Sequence, residues 1–255
     1  MKESVNSVIK YRHDYLSQLG FEVVMTVLIG SQNYKLDDEE SDIDTCSFVL
    51  PSLEDICVGH DSRSGEINME NGKCVYRDIR IALNNFKKSS PNSVEYFLGK
   101  YRYINPKYSS ILNKYLNKRK VMDYMVHSDY DHMFKAIVGM AYQITNRNMS
   151  AGKRYSHCLR LLNFANIYFN SYDSHKLLEM PVAELAKARS AKRDTNIESI
   201  KYYDQQCVEI AHILSEKQKA FIKTPEQAKV EQQGVALITQ LQKKIVLKYL
   251  EELND

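Results

Sequence analysis

The chain carries Val27-Leu28-Ile29-Gly30-Ser31, followed ten residues later by Ser41-Asp42-Ile43-Asp44. The first segment predicts a buried strand that ends in a Gly-Ser turn, and the second predicts a strand that begins with two carboxylates. Alternate residues of a strand point to the same face, so we expect Asp42 and Asp44 to lie side by side. Two adjacent like charges cost free energy unless a cation lies between them. The pattern therefore predicts a divalent-metal site beside a phosphate-binding turn.

The residue types at this turn and strand suit phosphate chemistry. Gly30 has no Cβ, so its backbone can approach a phosphate closely, and Ser31 adds a hydroxyl and an amide donor. Mg²⁺ prefers carboxylate oxygens, which Asp42 and Asp44 supply, and Mn²⁺ accepts the same ligands. In phosphoryl and nucleotidyl transfer, divalent ions neutralise the phosphates and lower the pKa of the attacking hydroxyl.

Hydrophobic periodicity divides the chain into two parts. In the first part we expect helices over 4–19, 52–56, 78–88 and 94–98, strands over 21–29, 43–50 and 73–77, and a loop or hairpin over 59–72. From residue 129 onward strand signals are absent, and helices are expected over 129–147, 151–170, 181–188, 196–221 and 226–253. The predicted fold class is therefore α+β, a small mixed β-sheet with flanking helices followed by an all-helical C-terminal domain. We place the domains at 1–124 and 125–255.

Composition argues against several classes of protein. The five cysteines are far apart, without a CxxC pair or Cys/His cluster, which disfavours a structural zinc site or a disulfide framework. The N-terminus lacks an apolar signal region, and no apolar run approaches the roughly 18 residues that span a bilayer. We therefore expect a soluble, cytoplasmic protein without a membrane partner. A net charge of +3 permits a basic surface but does not demand nucleic acid.

Gly30-Ser31 and Asp42-Ile43-Asp44 resemble the hallmark of the DNA polymerase β-like nucleotidyltransferase superfamily, Gly-Ser followed at modest distance by Asp-x-Asp. Two later segments are similar to an uncharacterised bacterial and phage-type branch, Ser90-Pro91-Asn92-Ser93-Val94-Glu95-Tyr96-Phe97 and Lys153-Arg154-Tyr155-Ser156-His157-Cys158-Leu159-Arg160-Leu161-Leu162. The resemblance touches most of the chain, and only its first motif is specific for chemistry. It implies a nucleotidyltransferase core, a helical C-terminal region, Mg²⁺ and a nucleoside triphosphate.

The superfamily usually supplies a third carboxylate from a later strand, which would lie near 73–78 here. Asp78 is the only acid in that segment, so we expect it to be either the third metal ligand and base or the cap of the next helix. Glu66 and Glu70, from the preceding loop, are weaker substitutes. Without a third acid, removal of the acceptor's proton would be impaired, and the protein would bind a nucleotide without turning it over.

The helical part offers cations for a triphosphate. Lys153, His157 and Arg160 have i, i+4 and i+7 spacing, which places them on one helix face. That face can bind phosphates, with Lys153 as a point charge and Arg160 as a bidentate fork, or it can be a solvated basic surface. The basic segment 187–193 is expected either to contact RNA or another anionic acceptor, or to form an exposed helix end.

Three functions are compatible with these features. The first is transfer of a nucleoside monophosphate group from a triphosphate to a hydroxyl of RNA, protein or a small molecule, with Asp42, Asp44 and Asp78 as catalytic residues. The second is a catalytically impaired nucleotide-binding or antitoxin-like module of the same fold. The third is a helical interaction protein in which the two acids are incidental.

Overall fold

The computed structural model describes residues 4–37, 41–52, 54–55, 58 and 64–252, and their architecture confirms the predicted α+β class. The N-terminal part contains α1 (Val5–Gln18), β1 (Glu22–Ile29), β2 (Asp44–Leu50), β3 (Gly65–Met69), β4 (Gly72–Asp78), α2 (Ile79–Lys87), α3 (Pro91–Leu98) and β5 (Arg102–Ile104). The helices that follow are α4 (Pro106–Leu116), α5 (Arg119–Val126), α6 (Tyr130–Thr145), α7 (Ala151–Asn170), α8 (Val182–Arg193), α9 (Ile197–Ala220) and α10 (Pro225–Glu252). None of the described helices has the length and apolar composition needed to cross a bilayer.

In the described residues, five strands form one mixed sheet in the order β3-β4-β2-β1-β5. β2 runs parallel to β4, whereas the other neighbouring strands are antiparallel. Residues 23–28 of β1 and 45–50 of β2 are all buried, so both faces of the two central strands are covered. This double burial explains why residues 23–28 of β1 are apolar except for Thr26 rather than alternating in polarity.

Side chains of β2 alternate between two hydrophobic cores. Val49 packs with Leu16 of α1 on what we call the α1 face of the sheet. Phe48 points to the other side, the main-core face, where its ring lies 5.3 Å from that of Phe97 in α3. The parity of a residue in β2 therefore determines which layer of the protein its side chain meets.

The main core continues from the sheet into the helical part. It contains Phe48 of β2, Met125 of α5, Ile137 of α6 and Ile245 of α10, all fully buried. Helix α10 packs against α2, α4 and α5, while α7 packs against α6, α8 and α9. The expected domain boundary between 124 and 125 falls within α5, so the division into two domains remains a prediction.

The periodicity located most elements to within a few residues, with identifiable exceptions. Helix α3 begins at Pro91 rather than 94, because proline is favoured in the first turn of a helix. Helix α8 continues beyond 188 to Arg193. Strand β5 and helices α4 and α5 were not predicted, and β5, with three residues, is too short for a periodic signal. The short helix expected over 52–56 and the start of the segment 59–72 lie partly outside the described residues, whereas the later part of that segment forms the β3–β4 hairpin.

A glycine permits the close approach of α7 and α8. A Cβ added to Gly152 in α7 would lie 1.8 Å from the carbonyl oxygen of Ala191 in α8, which is far inside van der Waals contact. We expect Gly152→Ala to lower the free energy of unfolding by about 1–3 kcal/mol, because two helix backbones must separate. Urea denaturation measures this loss.

Gly139→Ala in α6 is the matched control, because a Cβ there meets no atom within 4 Å. This substitution should stabilise the protein by up to about 1 kcal/mol, since alanine loses less conformational entropy than glycine in a helix. Equal effects of the two substitutions would contradict the close packing of α7 on α8.

Candidate functional site

The antiparallel pairing of β1 and β2 places the Gly-Ser turn beside the acidic pair. Ile29, the last residue of β1, is directly opposite Asp44, the first residue of β2. Gly30 follows with φ +87°, a backbone conformation that side chains other than hydrogen rarely allow, and Ser31 begins a short 3₁₀ helix, Ser31–Tyr34. The side-chain amide of Gln32 donates to the Asp42 carbonyl oxygen at 3.2 Å. The turn and the acids are therefore neighbours.

Only one of the two aspartates belongs to the strand. β2 begins at Asp44, with Asp42 two residues earlier. Ile43 between them packs with Val8 and Ile9 of α1, so alternation into β2 directs Asp44 away from the α1 face, and the same orientation for Asp42 remains a prediction. Asp42 is exposed and Asp44 is half-buried.

Backbone from β4 helps to orient Asp44. The Lys73 amide donates to Asp44 Oδ1 at 3.0 Å. A hydrogen bond of this kind from the backbone to a carboxylate restricts a side chain that would otherwise rotate freely at the start of the strand. The acidic pair is thus bordered by the Gly-Ser turn on one side and by the start of β4 on the other.

Glu95 of α3 holds the Gly-Ser turn in place. This side chain is buried, and its Oε1 accepts the Gly30 N–H at 2.8 Å and the side-chain amide of Asn33 at 3.3 Å. Asn33 also donates to the Leu28 carbonyl oxygen at 2.9 Å, which ties the turn back to β1. The Gly30 amide therefore already donates to Glu95. The amide and hydroxyl of Ser31 are the groups of the turn that we expect to donate to a phosphate.

Arg160, expected at the phosphates, contacts two residues next to the Gly-Ser turn, Glu95 and Tyr34. Its Nη1 is 3.8 Å from Glu95 Oε2, and its guanidinium stacks over the Tyr34 ring with 4.3 Å to the centroid. The Arg160 side chain is only 12 % exposed. Because a buried carboxylate needs a partner, Arg160 connects α7 to Glu95 and to the turn, and its contact with phosphates remains a prediction.

His157 lies among cations from three segments of the helical part. Burial lowers the pKa of His157 to about 3, and the positive charges of Arg160, Arg147, Lys192 and Lys153 act in the same direction. His157 is therefore a neutral hydrogen-bonding group near pH 7, and Lys153 beside it is exposed. Arg147 was not predicted, because it follows α6 in a turn and joins the cluster only through tertiary packing.

The basic segment 187–193 divides into two groups of side chains. Lys192 Nζ donates to the Leu36 carbonyl oxygen at 2.9 Å and to Ser41 Oγ at 3.3 Å, and Arg189 Nε donates to the Lys35 carbonyl oxygen at 2.7 Å. These two residues of α8 dock on the loop between the Gly-Ser turn and the acids. Lys187 and Arg193 are exposed, so contact with RNA or another anion remains a prediction for them.

The position of Asp78 corrects the expectation that it joins Asp42 and Asp44 as a catalytic and metal-binding residue. Asp78 is opposite Val49, five residues along β2 from Asp44, which corresponds to about 16 Å. Its buried carboxylate caps α2 by accepting the Arg80 N–H at 2.8 Å and pairs with Arg80 Nη2 at 2.6 Å. The capping alternative is therefore the one that the structure supports, and the start of β4 contributes Lys73 next to Asp44.

Glu66, a weaker candidate for the third carboxylate, lies on the main-core face of the sheet. It is opposite Val75, a residue that packs against the main core, and its Oε1 accepts from Lys73 Nζ at 2.7 Å. This hydrogen bond raises the pKa of Lys73, and the charges of Glu66 and Asp44 add to the increase. Glu70 is an exposed residue in the turn between β3 and β4.

The described part of the chain contains no group of three or more His, Cys, Asp or Glu side chains that could hold a metal ion. Mg²⁺ in nucleotide sites is commonly bound by one or two carboxylates together with substrate phosphates and water. Asp42 and Asp44 fit that smaller donor set. They would hold Mg²⁺ or Mn²⁺ jointly with a nucleotide rather than in a closed protein cage.

Comparison with known proteins found similarity among solved structures. No protein-family model matches the chain, and no curated protein matches it. A crystal structure of a nucleotidyltransferase-like protein from Exiguobacterium sibiricum 255-15 aligns with 98 % of this chain and 79 % of its own, at 12 % identity and a TM-score of 0.31.

The structural role of Asp78 is testable by substitution. Asp78→Ala removes the cap of α2 and leaves Arg80 without its carboxylate, so the free energy of unfolding should fall by about 1–3 kcal/mol. Nucleotide affinity of the folded variant should equal that of the wild type. A folded variant whose nucleotide affinity no longer depends on Mg²⁺ would show that Asp78 contributes to metal binding.

The environment of His157 predicts a pH dependence. In the unfolded chain His157 has its ordinary pKa of 6.5, whereas in the fold its pKa is about 3. Between these two pH values the imidazole is protonated in the unfolded state and neutral in the folded state. The free energy of unfolding therefore reaches its full value above pH 6.5 and decreases as the pH falls below 6.5. His157→Gln should reduce the slope of stability against pH in this window by up to about 1.4 kcal/mol per pH unit. Urea denaturation from pH 4 to 8 measures the slope, and an unchanged slope would refute the assignment.

Proposed function

We propose that the protein is a metal-dependent nucleotidyltransferase that transfers a nucleoside monophosphate group to an acceptor hydroxyl and releases pyrophosphate. The observation that carries this proposal is the pairing of Ile29 with Asp44, which sets the Gly-Ser turn against the acidic pair. A phosphate-binding turn beside carboxylates that share one side of the chain is the minimum arrangement for holding a metal–triphosphate complex.

Different groups of the chain would bind the metal and the phosphates of a nucleoside triphosphate. Asp42 and Asp44 would hold Mg²⁺ or Mn²⁺, and Ser31 would donate to the β- and γ-phosphates. Bound Mg²⁺ would neutralise phosphate charge and lower the pKa of the attacking hydroxyl. Lys153 is exposed and next to the neutral His157, so it can add positive charge at the phosphates.

One observation favours a second candidate, a nucleotide-binding or antitoxin-like module that does not turn its ligand over. β4 places Lys73 beside Asp44 and carries Asp78 to the distant end of the sheet. Glu66 would have to leave Lys73 before its carboxylate could accept the acceptor's proton. Binding and turnover must therefore be measured separately.

Replacing both acids tests the site. In wild-type protein, nucleoside triphosphate with Mg²⁺ should raise the melting temperature, because a ligand that binds only the native state adds about 2.7 kcal/mol of stability at a concentration 100 times its Kd. Asp42→Asn with Asp44→Asn should abolish this rise. Asp14→Asn is the matched control, because Asp14 is a partly exposed carboxylate on α1. Equal stabilisation of wild type and the double variant would refute the proposed site.

Incubation with each of the four α-³²P-labelled triphosphates, Mg²⁺ or Mn²⁺, and cellular RNA and protein then separates the two candidates. Transfer of label by the wild type, lost in the double variant, supports the enzyme and identifies the class of acceptor. Saturable binding without label transfer or pyrophosphate release supports the module. No nucleotide-induced stabilisation in any condition leaves the helical interaction protein.

A further inference from the structure

Arg12 of α1 is a fully buried arginine whose guanidinium lies at the acidic end of the sheet. Its Nη1 donates to the Ile43 carbonyl oxygen, to Thr45 Oγ1 at 3.1 Å and to the Lys73 carbonyl oxygen at 2.8 Å. Its Nη2 donates to the Asn71 carbonyl oxygen at 3.1 Å. The acceptors belong to two chain segments, one entering β2 and the other entering β4.

These acceptors bracket the residues that define the candidate metal site. Ile43 and Thr45 flank Asp44 in sequence, and Ile43 also follows Asp42. Asn71 directly precedes β4, and Lys73 is the second residue of that strand. The backbone amide of Lys73 donates to Asp44 Oδ1. The Ile43 N–H donates to the Asn71 carbonyl oxygen at 3.0 Å, which joins the two segments directly. Arg12 therefore fixes the backbone on both sides of the Asp44 carboxylate.

Thr45 and Ile43 have the opposite parity to Asp44, so Arg12 approaches from the α1 face while the carboxylate points away from it. A buried charge is expensive to desolvate and is retained only where its hydrogen bonds are satisfied. Arginine meets this requirement with a planar fork of donors that a lysine ammonium cannot reproduce. Much of this buried charge is directed at the backbone that carries the acidic pair.

We propose that Arg12 is a positioning residue for metal binding, which holds the segment from Asp42 to Asp44 in the geometry that binds the metal–triphosphate complex. This inference rests on the proposed function. Groups that orient metal ligands without touching the metal typically change metal affinity by 10–100-fold when they are replaced. Arg12 is predicted to act in this way through backbone carbonyls rather than through the carboxylates.

The test is a Mg²⁺ titration of nucleotide-induced thermal stabilisation in wild type and Arg12→Lys, at a fixed concentration of the triphosphate that stabilises the wild type best. Arg12→Lys should raise the Mg²⁺ concentration for half-maximal stabilisation by about tenfold or more. Thr45→Val removes one acceptor of Arg12 without removing the charge, so it should change the requirement in the same direction by a smaller factor. This second variant keeps the test decisive if Arg12→Lys does not fold.

Arg154→Lys is the matched control. Arg154 also uses its guanidinium in several hydrogen bonds, to the Met149 carbonyl oxygen at 2.5 Å and to Asp204 at 2.5 Å, but these lie within the helical part. The Arg154→Lys substitution should lower the melting temperature without changing the Mg²⁺ concentration for half-maximal stabilisation. If Arg12→Lys or Thr45→Val behaves like this control, Arg12 is only structural and the inference fails. If the wild type itself shows no stabilisation by nucleotide, the proposed function fails instead.

Discussion

The arrangement of the candidate site depends on the contacts of the buried Glu95 carboxylate. It accepts the Gly30 amide from the turn after β1, and Arg160 of α7 lies 3.8 Å from its second oxygen. Burying a carboxylate costs several kcal/mol unless such partners compensate. Because Glu95 belongs to α3, one side chain couples the sheet, α3 and α7. The turn is thereby held in a backbone conformation that the flexible Gly30 would not maintain alone.

The site is supported from both faces of the sheet. On the main-core face, Glu95 and the cations of α7 and α8 surround the Gly-Ser turn and its following loop. On the α1 face, Arg12 holds the backbone from which Asp44 projects. Neither support uses the carboxylates of Asp42 and Asp44 themselves. Each support therefore acts on backbone near the acids rather than on their carboxylates.

Local sequence patterns predicted the part of the site that depends on neighbouring residues. The apolar run of β1, the break at Gly30 and the alternation around Ile43 each act over only a few residues, so they indicated the turn and the side of the chain that bears the acids. Asp78 illustrates the limit of such patterns. A carboxylate at the junction of strand and helix fits a metal ligand or a cap equally well, and only the parallel register with β2 shows its distance from Asp44.

The sequence by itself determined the α+β class, the division into strand-containing and helical parts, and a Gly-Ser turn followed within a short loop by two acids, because periodicity and turn chemistry are local. Only the tertiary structure decided that Arg160 supports the turn, that α8 docks on the loop, that Asp78 is a cap and that Arg12 underlies the acidic strand. These roles depend on contacts between residues far apart in the chain, such as the 31 positions that separate Arg12 from Ile43. A buried charge finds its partners through the packing of helices on the sheet, and no spacing in the sequence encodes that packing directly.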